Sequence, residues 1–313
     1  MATMKAVYIT GYGGPEVMVY GDQPIPTASK DEVRVKVHAA GVNVVDWKAR
    51  DGLVTQHLTF SPPFILGCDI SGVVDQVGPG VTTYKAGDAV FGQVGLRNGF
   101  AEYAVTAAYR LAPKPGNIDH ITAASVPIPA MTAWQGLFRE GQLKAGQRVL
   151  IHAGAGGVGG FAVQFAHQAG AYVIATASQP NIEYVRGLGA DEVIDYRAAP
   201  FETKVRDLDL VLDLLSGDTQ ERSWGLLKRG GTLVSTVGPT APGRAEAFGV
   251  TGKFVIGAPD PAGRDLRHIA DLLAAGKIKT TVTTVLPLSE AKQALALSKS
   301  GRTKGKIVLR VLS

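Results

Sequence analysis

Only one cysteine, Cys68, occurs in the 313 residues. No internal disulfide can form and no cysteine-rich zinc lobe can be built, so a reducing compartment, the cytoplasm, is expected. Net charge is also small. The 32 Lys and Arg against 27 Asp and Glu leave +5, spread along the chain. Such an excess suits an anionic small molecule as well as it suits nucleic acid. No apolar run approaches the roughly 18 residues of a membrane span. The first residues, Met1 to Tyr8, lack the apolar core of a secretory signal. Aromatics amount to 7%.

What is present is apolar material, at 45%, and 39 glycines. The first is enough for a sizeable core. The second has no G-X-Y period and points to tight turns and close backbone approaches. The length favours two domains. Residues 1–122 are β-rich. Val33 to Ala39 alternates apolar and polar, Ile70 to Gly78 ends in the turn Gly78-Pro79-Gly80, and Lys85 to Asp88 turns the chain into Ala89 to Gly92. Short strands at this spacing predict a small barrel or strongly bent sheet.

From residue 123 to 273 strands alternate with helices. Strands are expected at Val149–Ala153, Tyr172–Ala175, 193–194, 210–213, 232–235 and 254–256. Helices are expected at Phe161–Ala169, Asn181–Leu188 and Asp265–Ala275. The alternation predicts an α/β domain with a doubly wound parallel sheet. Residues 274–313, ending in the strand Lys306 to Val311, are expected to rejoin the β-rich domain.

Gly154-Ala155-Gly156-Gly157-Val158-Gly159 is a G-x-G-x-x-G sequence between a predicted strand and a predicted helix, the context of a dinucleotide site. Gly154 is assigned the tight turn, Gly156 the approach to a pyrophosphate and Gly159 the close packing of helix on strand. The helix N-terminus offers unpaired N–H groups to the phosphates. After the second strand comes Ala177-Ser178-Gln179, and the first acid is Glu183, inside the next helix. NAD-selective sites place an acid at this strand end, on the ribose hydroxyls. Its absence favours NADP(H), with Ser178 free to donate to a 2′-phosphate.

These segments together resemble the zinc-free quinone oxidoreductase branch of the medium-chain dehydrogenase/reductase superfamily, over essentially the whole chain. The motifs are Ala40-Gly41-Val42-Asn43 through Asp46-Trp47-Lys48, Leu66 to Gly72, Gly99 to Tyr103, Met131 to Trp134, the glycine turn, and Gly305-Lys306-Ile307-Val308-Leu309. The resemblance implies a GroES-like catalytic domain of residues 1–122 and 274–313, and a Rossmann NADP-binding domain of residues 123–273. It also implies a homodimer joined edge to edge through the Rossmann sheets. Zinc enzymes of the superfamily have Cys in place of Asn43 and Gly-His-Glu in place of Gly67-Cys68-Asp69. A catalytic zinc needs three protein ligands and an open position, so no metal is expected. Asn181 stands where the branch commonly has a Lys contacting the 2′-phosphate, whereas Tyr196 matches a tyrosine packed near it. Thr132, at the start of the helix leading into the cofactor domain, is expected on the nicotinamide side.

Without zinc, hydride delivery to a quinone or an α,β-unsaturated carbonyl, such as a 2-alkenal or enone, is the expected reaction. The substrate's conjugation carries the developing charge, and positioned donors suffice. Asn43 and Lys48 are the candidate catalytic donors, both facing the cleft by resemblance. Asp46 is expected to hold Lys48 or a backbone N–H. Cys68 is expected to be an inert small hydrophobe, and His152 a packing residue. Ser216 with Gly217, and Val237 with Gly238, follow strands at the ends where open α/β sheets collect ligands. The alternative is an NADPH-binding protein that mainly holds RNA. Its basic stretch, Arg302 to Lys306, contains no aromatic face on which bases would stack.

Overall fold

The computed structural model describes residues 2–55, 61–255 and 263–312. The chain forms two units, Met1–Ile128 with Pro259–Ser313, and Pro129–Ala258. In chain order the first unit holds β1 (Thr3–Ile9), β2 (Met18–Pro24), β3 (Glu32–Val42), α1 (Val44–Arg50), β4 (Phe64–Ile65), β5 (Asp69–Val77), β6 (Ala89–Gln93), β7 (Tyr103–Ala107), β8 (Leu111–Pro113) and α2 (His120–Ala124). The chain passes from one unit to the next within α3 (Pro127–Trp134).

β3 organises the first unit. Val33, Val35 and Val37 are fully buried, as their alternation requires, and pack with Ile70, Val90 and Leu111. β3 runs antiparallel to β5 along one edge. On its other edge the partners change, from β7 opposite Glu32 to Lys36 to the chain's last strand opposite Ala39 to Val42. Its register against β5 slips between Val37 and Ala39. Such a bulge bends the strand, which is how one strand serves two partners in tandem and the sheet curls.

The second unit continues with β9 (Arg148–Ile151), α4 (Gly157–Gln168), β10 (Tyr172–Ala177), α5 (Ile182–Arg186), β11 (Glu192–Asp195), β12 (Leu208–Asp213), α6 (Gly217–Ser223), β13 (Leu227–Ser235), α7 (Arg244–Phe248) and β14 (Thr251–Phe254). Among the described residues all six strands are parallel, in the order β11-β10-β9-β12-β13-β14. The chain starts at the centre, works outward to β11, then returns to the other side of β9. The strand order therefore reverses between β9 and β12, and ligands of open α/β sheets bind beyond the strands' C-terminal ends at such a point. The helix expected from Phe161 begins four residues earlier, in the glycine turn itself. The last strand ends at Phe254, and Ile256, expected within it, lies outside the described residues.

The tail returns to the first unit as α8 (Arg264–Ala274), β15 (Val282–Pro287), α9 (Ala291–Lys299) and β16 (Lys306–Arg310). α8 corrects the expected boundary at residue 273. It buries Leu266, Ile269 and Leu273, and its last carbonyls, Leu273 O and Ala274 O, accept from Asn117 Nδ2 at 3.2 and 3.3 Å. An amphipathic helix has the same period whichever domain it covers, so periodicity alone could not place it. The other junction falls at 128/129 rather than 122/123. Among the described residues no helix is long and apolar enough to cross a membrane.

Candidate active site

The second unit gathers most of the expected cofactor residues at the C-terminal ends of its strands. After β9, Gly156 is the extended N-cap residue of α4, so the first amides of that helix are without intrahelical partners. The turn's left-handed residue is Ala153, at φ +51°, and not Gly154, to which the motif assigns the tight turn. Gly154 is required for packing instead: a Cβ there would lie 3.0 Å from Ala175 Cβ and 3.1 Å from Val185 Cγ1. Gly159 is the most confined, with a Cβ falling 2.2 Å from the Ala153 carbonyl oxygen. At Gly156 a Cβ would meet only that oxygen, at 3.3 Å. Ala155 is buried beneath the turn, and Gly157 and Val158 open the helix half-buried. Bare backbone at Gly156 beside unpaired helix amides fits a pyrophosphate.

Beyond β10, Asn181 Nδ2 donates to Ser178 Oγ at 3.1 Å. The Tyr196 amide donates to Ala177 O at 3.3 Å, which brings the end of β11 beside Ser178. Tyr196 is 50% exposed, and the Arg197 guanidinium lies 5.6 Å from its ring centroid. Sequence reasoning passed over Arg197; its signal was a basic residue directly after Tyr196 at a strand end. Glu183 is exposed and paired with Arg186 at 2.6 Å, and so supplies no acid at the strand end.

After β12 the chain turns on Asp213, fully buried and also missed. Its Oδ1 accepts the amides of Leu215 and Ser216 at 3.0 and 2.9 Å, and its Oδ2 accepts Gln220 Nε2 at 2.8 Å. These bonds hold Ser216 at φ +65°, just before Gly217 opens α6. After β13 the Val237 amide donates to Ser235 Oγ at 3.3 Å, and a Cβ on Gly238 would meet nothing within 4 Å. Thr132 is buried within α3, not at its start.

His152 supports the turn from below. Ser223 Oγ gives its proton to Thr219 O at 2.7 Å, so it must accept from His152 Nε2, at 2.9 Å. Thr176 Oγ1 accepts the Ala153 amide at 3.1 Å and offers its proton to His152 Nδ1 at 3.3 Å. Both ring nitrogens are thus used by the neutral imidazole, and burial lowers its pKa to about 4. Between about 4 and the ordinary 6.5 the unfolded chain binds a proton that the folded chain refuses. Stability from this group is therefore complete above about pH 6.5 and falls as pH drops toward 4. Relative to a His152→Asn variant, whose side chain does not titrate, the wild-type unfolding free energy should fall by about 3 kcal/mol over that range. Urea unfolding at several pH values measures the difference, and parallel curves would show that His152 is not held neutral.

The first unit carries a buried polar cluster around Asn43. Asn43 precedes α1, and its amide donates to Asp46 Oδ2 at 2.7 Å, one half of a capping box. Its side chain lies between two charges. Lys306 Nζ donates to Asn43 Oδ1 at 2.7 Å and to Val42 O at 2.6 Å, while Asn43 Nδ2 donates to Asp69 Oδ2 at 3.0 Å. The Ile128 amide donates to the same Asp69 oxygen at 3.0 Å, and Cys68 Sγ to Asp46 Oδ1 at 3.1 Å. Burial pushes Asp46 up to about 6 and Asp69 up to about 7, against the pull of the Lys306 ammonium. Burial lowers Lys306, and raises the Cys68 thiol well above its usual value with help from both carboxylates.

Of the two partners expected for Asp46, the backbone N–H is the one observed. Lys48 does not join Asn43; its ammonium lies 5.9 Å from the Trp47 ring centroid. Five residues along α1 is about 140° around the helix at 3.6 residues per turn, which separates the two side chains. Asp46 accordingly holds the Asn43 backbone N–H and the Cys68 thiol, and not Lys48. The cation at Asn43 is Lys306, which sequence reasoning noted only as part of a motif.

Residues 29–116 match the family model described as alcohol dehydrogenase GroES-like domain, and residues 188–309 that described as zinc-binding dehydrogenase. The chain is 34% identical to the chloroplast envelope quinone oxidoreductase homolog of Arabidopsis thaliana, over 98% of each protein. It belongs to the quinone oxidoreductase branch of the medium-chain dehydrogenase/reductase superfamily. Among solved structures, Escherichia coli quinone oxidoreductase complexed with NADPH is similar at a TM-score of 0.90 and 28% identity, covering 98% of this chain and 100% of that one. CurK enoyl reductase is similar at a TM-score of 0.90 and 26% identity, covering 98% and 99%. The two units are the GroES-like and Rossmann domains of this superfamily, and the chain is an oxidoreductase of an NAD(P)H-dependent family.

The zinc named in one family description does not fit the residues of this quinone oxidoreductase-branch member. Asn43 presents a neutral amide already engaged by an ammonium, and Cys68 is a protonated thiol bonded to Asp46. Zinc binds thiolate, neutral imidazole or carboxylate. Among the described residues no group of three or more His, Cys, Asp and Glu could hold a metal ion.

Proposed function

We propose that the protein transfers hydride from NADPH to a quinone or to the β-carbon of an α,β-unsaturated carbonyl, without zinc. The observation that carries the cofactor half is the nucleotide edge of the Rossmann sheet, where a bare glycine turn lies beside Ser178, Asn181, Tyr196 and Arg197 with no acid at the end of β10. Gly154 to Gly159 with the α4 amides would hold the pyrophosphate, and Ser178, Asn181 and Arg197 the 2′-phosphate. The solved relative bound to NADPH supports this choice.

Bound NADPH supplies the hydride. As hydride reaches an enone's β-carbon, the alkene's electron pair moves toward the carbonyl, whose oxygen gains charge and needs a donor. Asn43 is proposed for that role. An enoyl reductase and a quinone oxidoreductase among the solved relatives support both acceptor classes. The proposal includes a homodimer paired through β14, the end strand of the sheet, in a reducing compartment such as the cytoplasm. Nothing favours RNA binding, since Lys306 of the basic stretch is buried.

The test follows NADPH and NADH oxidation against a panel of quinones and enones, in the presence of a metal chelator. NADPH should be preferred at least tenfold in KM, and Ser178→Asp should erase the preference by repelling the 2′-phosphate. Equal affinities in the wild type would sink the NADPH choice. No turnover of any acceptor would sink hydride transfer, and loss of activity with release of stoichiometric zinc would sink the metal-free site.

A further inference from the structure

We propose that Lys306 is a positioning residue that fixes and polarises the Asn43 amide, so that Asn43 presents one N–H as a donor to the ligand. The proposal deepens the assignment of Asn43 above and rests on it for its catalytic consequence. Lys306 is placed by backbone. It opens β16, one residue beyond the register pair Ile307–Val42, and so lies beside Asn43 across the β3–β16 ladder. Its amide donates to Thr281 O at 2.9 Å. Gly305 before it is left-handed at φ +63°, and a Cβ there would fall 2.1 Å from the same Thr281 oxygen. The strand can therefore neither slide nor lift, and a side chain 6% exposed reaches back to Asn43.

The amide has a single satisfactory orientation. Its oxygen accepts from the ammonium at 2.7 Å, and one N–H goes to Asp69 at 3.0 Å. Flipped, its NH₂ would face the ammonium, donor against donor, and its oxygen would face a carboxylate. An ammonium on the oxygen draws electron density from the nitrogen, so the remaining N–H is a stronger donor than that of a free asparagine. Two observations converge. Buried charges need partners, and here the amide bridges them. Among the described residues, Asp69 alone accepts from Nδ2, which leaves its second N–H for the ligand. The buried lysine thus has a purpose beyond stability, because a well-packed apolar residue would serve stability as well.

The test is a double-mutant cycle in the full-length protein, with trans-2-hexenal as the 2-alkenal probe and NADPH binding followed by nicotinamide fluorescence. Lys306→Met should lower kcat about ten- to a hundredfold, as loss of a supporting partner does, with the NADPH Kd within twofold. Asn43→Ala should lower kcat about a hundredfold or more, and adding Lys306→Met to it should cause no further loss. Additive effects, or a folded Lys306→Met with unchanged kcat, would overturn the proposal.

A readout free of turnover separates this inference from the assigned reaction. With ¹⁵N-asparagine, only Asn43, Asn98, Asn117 and Asn181 are labelled. In wild type one Nδ2 hydrogen of Asn43 should be protected from exchange, and both should be shifted from ordinary asparagine positions. Lys306→Met should release the shift. If that variant does not fold, the wild-type exchange pattern decides, and Asn43 hydrogens exchanging like those of a free amide would overturn the network. A wild type with this pattern but no turnover would refute the assigned reaction and leave the positioning role standing.

Discussion

Gly159→Ala is expected to weaken NADPH binding about a hundredfold, the loss that follows when a binding group moves by about 1 Å. The added Cβ would lie 2.2 Å from Ala153 O and 2.9 Å from Ala153 C and Gly154 Cα. All three are backbone atoms of the turn proposed to cradle the phosphates, so no side chain can swing away. Ala153 is already left-handed at φ +51°, and its amide is held by Thr176 Oγ1 at 3.1 Å. The turn can therefore yield only by lifting off the helix, which takes the helix amides out of line with the phosphate site. Overpacking of this kind also costs about 1–3 kcal/mol of stability. Gly156→Ala is the control. Its Cβ meets one atom at 3.3 Å, so folding should survive while pyrophosphate approach suffers. Fluorescence titration with NADPH and urea unfolding check both variants, and a Gly159→Ala protein binding NADPH within threefold of wild type would refute the assignment.

The glycine turn was legible in sequence because its meaning is local: strand, glycines and helix adjoin, and each glycine answers to neighbours a few residues away. Gly159 packs closely against the turn, as expected, for that reason. The tight turn expected at Gly154 falls on Ala153 because a left-handed alanine leaves no mark in a motif written around glycine. The parallel sheet was legible from alternation, yet α8 was not assignable to its domain, since a helix period names a buried face and not the surface it covers. The buried polar cluster around Asn43 shows the deeper limit. Asn43 and Lys48 share a short segment and were both read as donors to one cleft, but helix geometry sends their side chains apart. Lys306 bonds Asn43 from 263 residues away, and only the β3–β16 ladder makes them neighbours. Asp213 was read as the last residue of a strand because nothing in its segment announces that its carboxylate gathers three donors.

Asp213→Ala should therefore cost about 3 kcal/mol or more, and should distort the strand-end turn that carries Ser216. Asp213 is fully buried, and removing its carboxylate orphans the amides of Leu215 and Ser216 and the Nε2 of Gln220. A buried donor left unpaired costs on the order of 1–3 kcal/mol, which applies in full to Gln220, while the partly exposed amides of Leu215 and Ser216 regain some water as the turn relaxes. The backbone adds to the distortion while offsetting part of the cost. Ser216 has φ +65° and ψ −168°, a region that is essentially glycine's and costs about 1–3 kcal/mol in other residues. The bond from the Ser216 amide to Asp213 Oδ1 holds it there, so losing the carboxylate releases the strain and with it the shape of the loop. Asp213→Asn should behave differently. Its side-chain oxygen can keep the two amides, and Gln220 can turn its own oxygen toward the new NH₂, so most of the stability should return. Ser216→Gly should be neutral or stabilising by up to about 1 kcal/mol, since glycine adopts the observed backbone without strain. Urea unfolding of the three variants with parallel NADPH titration separates these contributions. An Asp213→Ala protein as stable as Asp213→Asn would show that the carboxylate does not organise the turn.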